Sequence, residues 1–288
     1  MAAPYEDCSW TSSDGLNLHY RDYPGPEGGQ ATPVLCLHGL TRNGRDFADL
    51  AEHLAETRRV IVPDMRGRGM SDYSPDSDTY NPLTYVADVE LLLDEAGIER
   101  FISIGTSMGG LMTMLLGQAD ADRIAAAVLN DIGPQIEPVG LERISGYVGQ
   151  GRSYPTWIHA ARSLGEVHGE AFPDYSLEDW LEMAKRIMVV SQNGRISYDY
   201  DMAIAEPFAK PGNAAPANLW DAFEALADTP MLLVRGELSD LISPDTVERM
   251  KQRNPALATV TVPRAGHAPT LDEPEAREAI DTLLAGIA

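Results

Sequence analysis

Cysteine is nearly absent, with only Cys8 and Cys36 in 288 residues. Two thiols exclude a disulfide-stapled scaffold, and Cys36, inside the apolar run Val34-Leu35-Cys36-Leu37, reads as a small core residue. No stretch of about 18 consecutive apolar residues occurs, which excludes a transmembrane helix. The first ten residues lack the cationic-then-apolar pattern of an export signal, so the expectation is a soluble cytoplasmic protein without membrane insertion. Also missing are C-x-x-C, H-E-x-x-H, G-x-G-x-x-G and the P-loop pattern. No metal or cofactor is therefore expected, and any chemistry must come from side chains. Basic residues are scarce as well: 22 Lys and Arg face 44 Asp and Glu, a formal charge of −22 that opposes binding to nucleic acid or anionic lipid. The acidic residues are spread along the chain, as on a solvated surface.

What is present is an alternation of short apolar runs with amphipathic helical patterns. Strands are expected at 7–11, 16–20, 34–37, 60–62, 101–104, 126–129, 231–234 and 259–262, with Asp14-Gly15 turning a hairpin between the first two. Helices are expected at 46–57, 81–97, 244–253 and 274–287. In the second of these, Val86, Val89, Leu93 and Ala96 share one face and Gly97 can end it. Ser243-Pro244 supplies an N-cap followed by proline at the first helical position. Strands separated by helices argue for parallel crossovers in an α/β sheet.

The alternation fails between Asp131 and Thr229, a span interrupted by prolines and carrying Tyr147, Tyr154, Trp157, Trp180, Tyr198 and Tyr200. This reads as a mainly helical cap, residues 134–228, inserted into a core made of 1–133 and 229–288. Tyr147, Trp157 and Trp180 are the cap residues expected to line a substrate pocket.

Gly105-Thr106-Ser107-Met108-Gly109 follows the apolar run 101–104 and precedes the apolar run 111–116, a strand, a sharp turn and a buried helix. A serine at the apex of such a turn stands clear of both elements and is positioned as a nucleophile. It needs a base, and His267 follows the last strand in Gly266-His267-Ala268-Pro269, at the carboxyl edge where open parallel sheets place their sites. For the carboxylate that orients the base, Asp240 is favoured because its loop follows the penultimate strand. Asp131 and Glu237 stand as rivals.

The order Ser107, Asp240, His267 resembles that of the α/β-hydrolase fold superfamily. His38-Gly39, after the strand 34–37, resembles its oxyanion loop, and Asp64-Met65-Arg66-Gly67-Arg68-Gly69-Met70-Ser71-Asp72 resembles its D-x-R-G-x-G-x-S-D segment. The resemblance implies a mostly parallel eight-stranded sheet flanked by helices, with an inserted helical cap. It also implies an oxyanion hole made by the backbone N–H groups of Leu40 and Met108, with His38 bracing the loop and Asp64 and Arg66 building a turn. Arg42, Arg45, His159 and His168 receive no site role. Relatives that attack saturated carbon carry aspartate at the elbow, whereas serine suits acyl transfer.

The expected activity is hydrolysis of a small-molecule carboxylic ester or lactone through an acyl-serine. One alternative is carbon–carbon bond hydrolysis of the aromatic-degradation type, although Leu40-Thr41-Arg42-Asn43-Gly44 departs from the Ser/Gly-rich oxyanion loop usual there. The other is a ligand receptor or lyase that keeps the triad. The sequence leaves the oligomeric state open.

Overall fold

A computed structural model describes residues 4–210 and 218–288. In chain order its strands are β1 (Glu6–Thr11), β2 (Asn17–Tyr23), β3 (Val34–Leu37), β4 (Val60–Pro63), β5 (Phe101–Thr106), β6 (Ile124–Asn130), β7 (Ser153–Tyr154), β8 (Met188–Val190), β9 (Ile196–Tyr198), β10 (Met231–Gly236) and β11 (Ala258–Val262). The helices are α1 (Ala48–Ala55), α2 (Pro82–Glu95), α3 (Met108–Ala119), α4 (Pro138–Ser145), α5 (Trp157–His168), α6 (Leu177–Ile187), α7 (Ala205–Ala209), α8 (Trp220–Glu224), α9 (Pro244–Arg253) and α10 (Pro274–Ala285).

The main sheet has eight strands in the order β1-β2-β4-β3-β5-β6-β10-β11. β1, β2 and β4 pair antiparallel, and every pair from β4 to β11 is parallel. Successive side chains in a strand point to opposite faces. Leu35 and Leu37 of β3 accordingly join one core, with Met112 of α3 and Phe223 of α8, while Val34 and Cys36 join another, with Leu50 of α1 and Ile280 of α10. β10 divides in the same way, Met231 and Leu233 against Leu232 and Val234. Covering both faces explains why β3, β4 and β6 are buried along their whole length and read as unbroken apolar runs.

The helix punctuation follows the sequence closely. Asn81 caps α2 by accepting from the Thr84 N–H, Pro82 opens it, and Gly97 beyond its end has φ of +66°. Ser243 caps α9 by accepting from the Thr246 N–H.

The chain leaves the sheet after β6 and re-enters at β10. The intervening segment carries α4 to α8, and also a small antiparallel sheet, β7-β9-β8, that was not anticipated. Its strands have two or three residues, too few to display a period. The expected cap range includes 211–217, which lie outside the described residues. Among the described residues no helix is long and apolar enough to cross a membrane.

Candidate active site

Ser107 sits between β5 and α3 with φ of 52° and ψ of −114°, a conformation that costs a residue with a Cβ and needs support from its surroundings. Support comes from the Ser107 N–H, which donates to Asn130 O at 3.0 Å, and from the Ser107 carbonyl, which accepts from the N–H groups of Gly110 and Leu111. The flanking glycines are demanded by space. A Cβ on Gly109 would lie 2.0 Å from Leu37 O, and one on Gly105 would lie 2.4 Å from the Gly109 backbone. Strand and helix thus approach too closely for any side chain at these two positions.

His267, in the loop after β11, bridges two groups. The Ser107 hydroxyl donates to its Nε2 at 2.8 Å, and its Nδ1 lies 2.9 Å from Asp131 Oδ2. A carboxylate can only accept, so Nδ1 carries the proton and Nε2 is left free to receive the serine proton. Asn130 steadies this loop, donating from Nδ2 to Pro269 O at 2.8 Å.

The expected partner, Asp240, makes no hydrogen bond to His267. It takes both hydrogen bonds of the Arg143 fork, at 2.5 and 2.8 Å, and so ties its loop to α4. Burial raises its carboxyl pKa, but the Arg143 guanidinium outweighs burial and holds it below the ordinary aspartate value. Register explains the correction. β10 runs to Gly236, two residues beyond the strand expected from the sequence, and pairs Val234 with Asn130 of β6. Asp131, at the end of β6 with φ of 54°, is therefore caught between β10 and the His267 loop. Its N–H donates to Val234 O, its Oδ1 accepts from the Gly236 N–H at 2.8 Å, and its Oδ2 also accepts from the Ser239 hydroxyl at 2.7 Å. Asp131 is fully buried. The other rival, Glu237, accepts from the Arg264 N–H and does not meet His267.

Gly39 brings the loop after β3 against the nucleophile, its missing Cβ position lying 3.7 Å from Ser107 Cβ. His38 braces that loop from within: Nδ1 donates to Gly39 O at 2.8 Å and Nε2 accepts from the Met65 N–H at 3.0 Å. Its complete burial pushes the imidazole pKa down to about 4, so it stays neutral. Arg68 was passed over in the sequence. Also fully buried, it donates from Nε to Leu40 O at 3.0 Å and from Nη1 to Tyr85 Oη at 2.9 Å. Met108 opens α3, so its N–H has no acceptor one turn earlier.

Two cavities meet at Ser107, Leu40 and Ile144. The larger is lined by His267, Tyr147, Tyr198, Arg42, Asp46 and Arg186 among others. Of the three aromatic residues expected there, only Tyr147 takes the place. Trp180 is spent inside the insert, its indole against Gly165 of α5 and beside Phe172 and Tyr175. Trp157 is half-buried at the start of α5 and packs at the margin of the core cluster that includes Leu164 of α5 and Met183 of α6. His168 does line the cavity, where burial and the positive charges of Arg42 and Arg143 push its pKa down to about 4. Among the described residues, no group of three or more His, Cys, Asp and Glu side chains is arranged to hold a metal ion.

A nucleophile elbow, a histidine and a buried acid over a parallel sheet of this order match a known architecture, and a family model for the alpha/beta hydrolase fold matches residues 32–274. The chain belongs to the α/β-hydrolase fold family. A curated relative, 3-hydroxybutyrate-oligomer hydrolase of Cupriavidus necator, is 36% identical over 248 residues, 84% of each chain. A second, 2-(acetamidomethylene)succinate hydrolase of Mesorhizobium japonicum, is 25% identical over 84% of this chain and 83% of its own. A crystal structure of an alpha/beta hydrolase from Novosphingobium aromaticivorans superposes over 100% of both chains, with a TM-score of 0.95 and 56% identity. In this α/β-hydrolase the triad geometry is assembled by the ends of β5 and β6 and the loop after β11.

Proposed function

We propose that this hydrolase cleaves a small-molecule carboxylic ester or lactone through an acyl-serine intermediate. The observation that carries the reading is the continuous hydrogen-bond chain from Ser107 Oγ to His267 Nε2 and from Nδ1 to Asp131. Ser107 attacks the carbonyl carbon as its proton passes to Nε2, and the oxyanion is met by the N–H groups of Leu40 and Met108. The C–O bond to the leaving group then breaks, and Nε2 hands the proton to the departing oxygen. Water repeats the sequence on the acyl-serine, restoring the hydroxyl and releasing the acid. Asp131 holds the imidazole tautomer and stabilises the imidazolium. The segment between β6 and β10 acts as the cap that selects the substrate, with Tyr147 in its lining. The Cupriavidus necator relative is named for an oligomer of a hydroxy acid, a molecule joined by ester bonds, which supports ester over carbon–carbon cleavage.

The test is a fluorophosphonate together with a panel of p-nitrophenyl esters, lactones and a dienone. Labelling at Ser107 alone, ester or lactone turnover, and loss of both in Ser107→Ala are expected. A labelled protein that turns over only the dienone, or nothing in the panel, overturns the reading.

A further inference from the structure

The two cavities that meet at Ser107 differ in chemistry and in what borders them. The smaller is walled by Tyr80, Tyr85, Leu111, Ile132, Ile136 and Leu241, and His267 is not among its lining residues. The larger contains His267, together with Arg42 from the loop after β3 and Arg186 from α6. Because His267 Nε2 must protonate the departing oxygen, the leaving group lies on the His267 side and the acyl chain extends the other way.

Both arginines keep donors in hand. Arg42 spends Nε and Nη2 on the two oxygens of Asp46, which neutralises that acid and leaves Nη1 without an acceptor among the described residues. Arg186 uses only Nη2, towards Asp49 and Asp272, and leaves Nε and Nη1. His168, in the same cavity, is pushed towards its neutral form first by burial and then by the charges of Arg42 and Arg143, and Asp46, which also borders this arm, has both oxygens taken by Arg42.

We infer that the substrate is an ester whose alcohol portion carries a carboxylate, a hydroxy-acid ester, with Arg42 and Arg186 gripping that carboxylate and the apolar arm taking an uncharged acyl chain. This rests on the ester-hydrolase reading above. A carboxylate held by an arginine fork gains charge-assisted hydrogen bonds, whereas a carboxylate forced into the apolar arm loses its hydration with no partner. The sidedness is therefore strict: the charge is welcome on the leaving group and rejected on the acyl group.

The experiment uses two matched pairs on the intact protein. 3-(Butanoyloxy)butanoate is compared with its methyl ester, and ethyl butanoate with ethyl hydrogen succinate, all followed by chromatography of the released acid. In the first pair the free carboxylate should raise kcat/KM by about tenfold or more, and in the second it should lower it by about tenfold or more. In Arg42→Gln and Arg186→Gln the first ratio should collapse towards one while the second keeps its direction, whatever the absolute rates. Hydrolysis of all the neutral esters with no preference for the carboxylate in the wild type overturns the inference and leaves the ester reading standing. Hydrolysis of none of the four, nor of p-nitrophenyl esters, removes both. The wild-type comparison decides even if a variant fails to fold.

Discussion

Asp131 Oδ2 and His267 Nδ1 lie 2.9 Å apart although 136 residues separate them, and the same carboxylate is fixed by Gly236 and Ser239 from a third strand and its loop. The carboxylate that meets His267 therefore comes from the end of β6, while the acid after β10, Asp240, pairs with Arg143.

That division gives a direct comparison. Asp131→Asn should keep substrate binding nearly intact and lower kcat by up to about 10⁴, because the amide presents the wrong tautomer partner. Asp240→Asn should keep at least about a tenth of wild-type kcat and cost little stability, since its ion pair with Arg143 is about 30% exposed. Steady-state kinetics on one p-nitrophenyl ester decides between them, and the reverse ranking would return the role to Asp240.

Arg68 is a fully buried arginine whose hydrogen-bond partners include no carboxylate. Its contact with Leu40 O fixes the peptide next to the Leu40 N–H, the group proposed for the oxyanion hole. As a positioning residue it should act on kcat more than on KM: Arg68→Lys, which loses the fork but keeps the charge, is expected to lower kcat by about tenfold. A merely structural role would lower the melting temperature and leave kcat per folded molecule unchanged, so both are measured on the same preparation.

The close approach at the elbow predicts a sharp contrast between two glycines. A methyl at Gly109 would fall 2.0 Å from Leu37 O, whereas one at Gly286 would meet nothing nearer than Leu283 O at 3.6 Å. Gly109→Ala should abolish soluble, active protein, and Gly286→Ala should leave the melting temperature close to wild type. Normal activity in Gly109→Ala would mean that β3 and α3 are not packed as described.

The eight sheet strands, the elbow and the place of His267 were legible in the sequence because each is written locally: buried strands as unbroken apolar runs, the elbow as paired glycines, and His267 as a histidine just past the last strand. Asp131 was not. Both it and Asp240 follow a parallel strand, and both fit the order serine, acid, histidine. Choosing between them depends on how far β10 extends and on its register with β6, which only the folded sheet sets. Arg143, the residue that claims Asp240, lies in the insert, where prolines and very short strands leave no period to read. Trp180 failed for a related reason. A helical face records that a side chain is buried, and Gly165 on the neighbouring helix decides where.

His38 links the brace of the oxyanion loop to acid stability. Its imidazole is buried completely and pushed down to about 4, whereas a histidine in the unfolded chain titrates near about 6.5. Between those two values the unfolded chain binds a proton that the native state refuses, so stability must fall as pH falls through this window, by at most about 1.4 kcal/mol per pH unit for one such group. His168, also pushed down to about 4, acts in the same direction. His19 opposes them. Burial lowers its pKa, but Asp64 and Asp7 outweigh burial and raise it overall, so its contribution is complete below the unfolded value and is lost as pH rises through the folded one. The wild-type slope is the sum of these terms, and a single substitution isolates one. Urea unfolding of wild type and His38→Gln at pH 7, 6, 5 and 4.5 should show wild-type stability declining more steeply with acid, the curves converging as pH falls even if the variant starts lower. Parallel curves would mean that His38 takes up a proton in the native state as readily as in the unfolded chain.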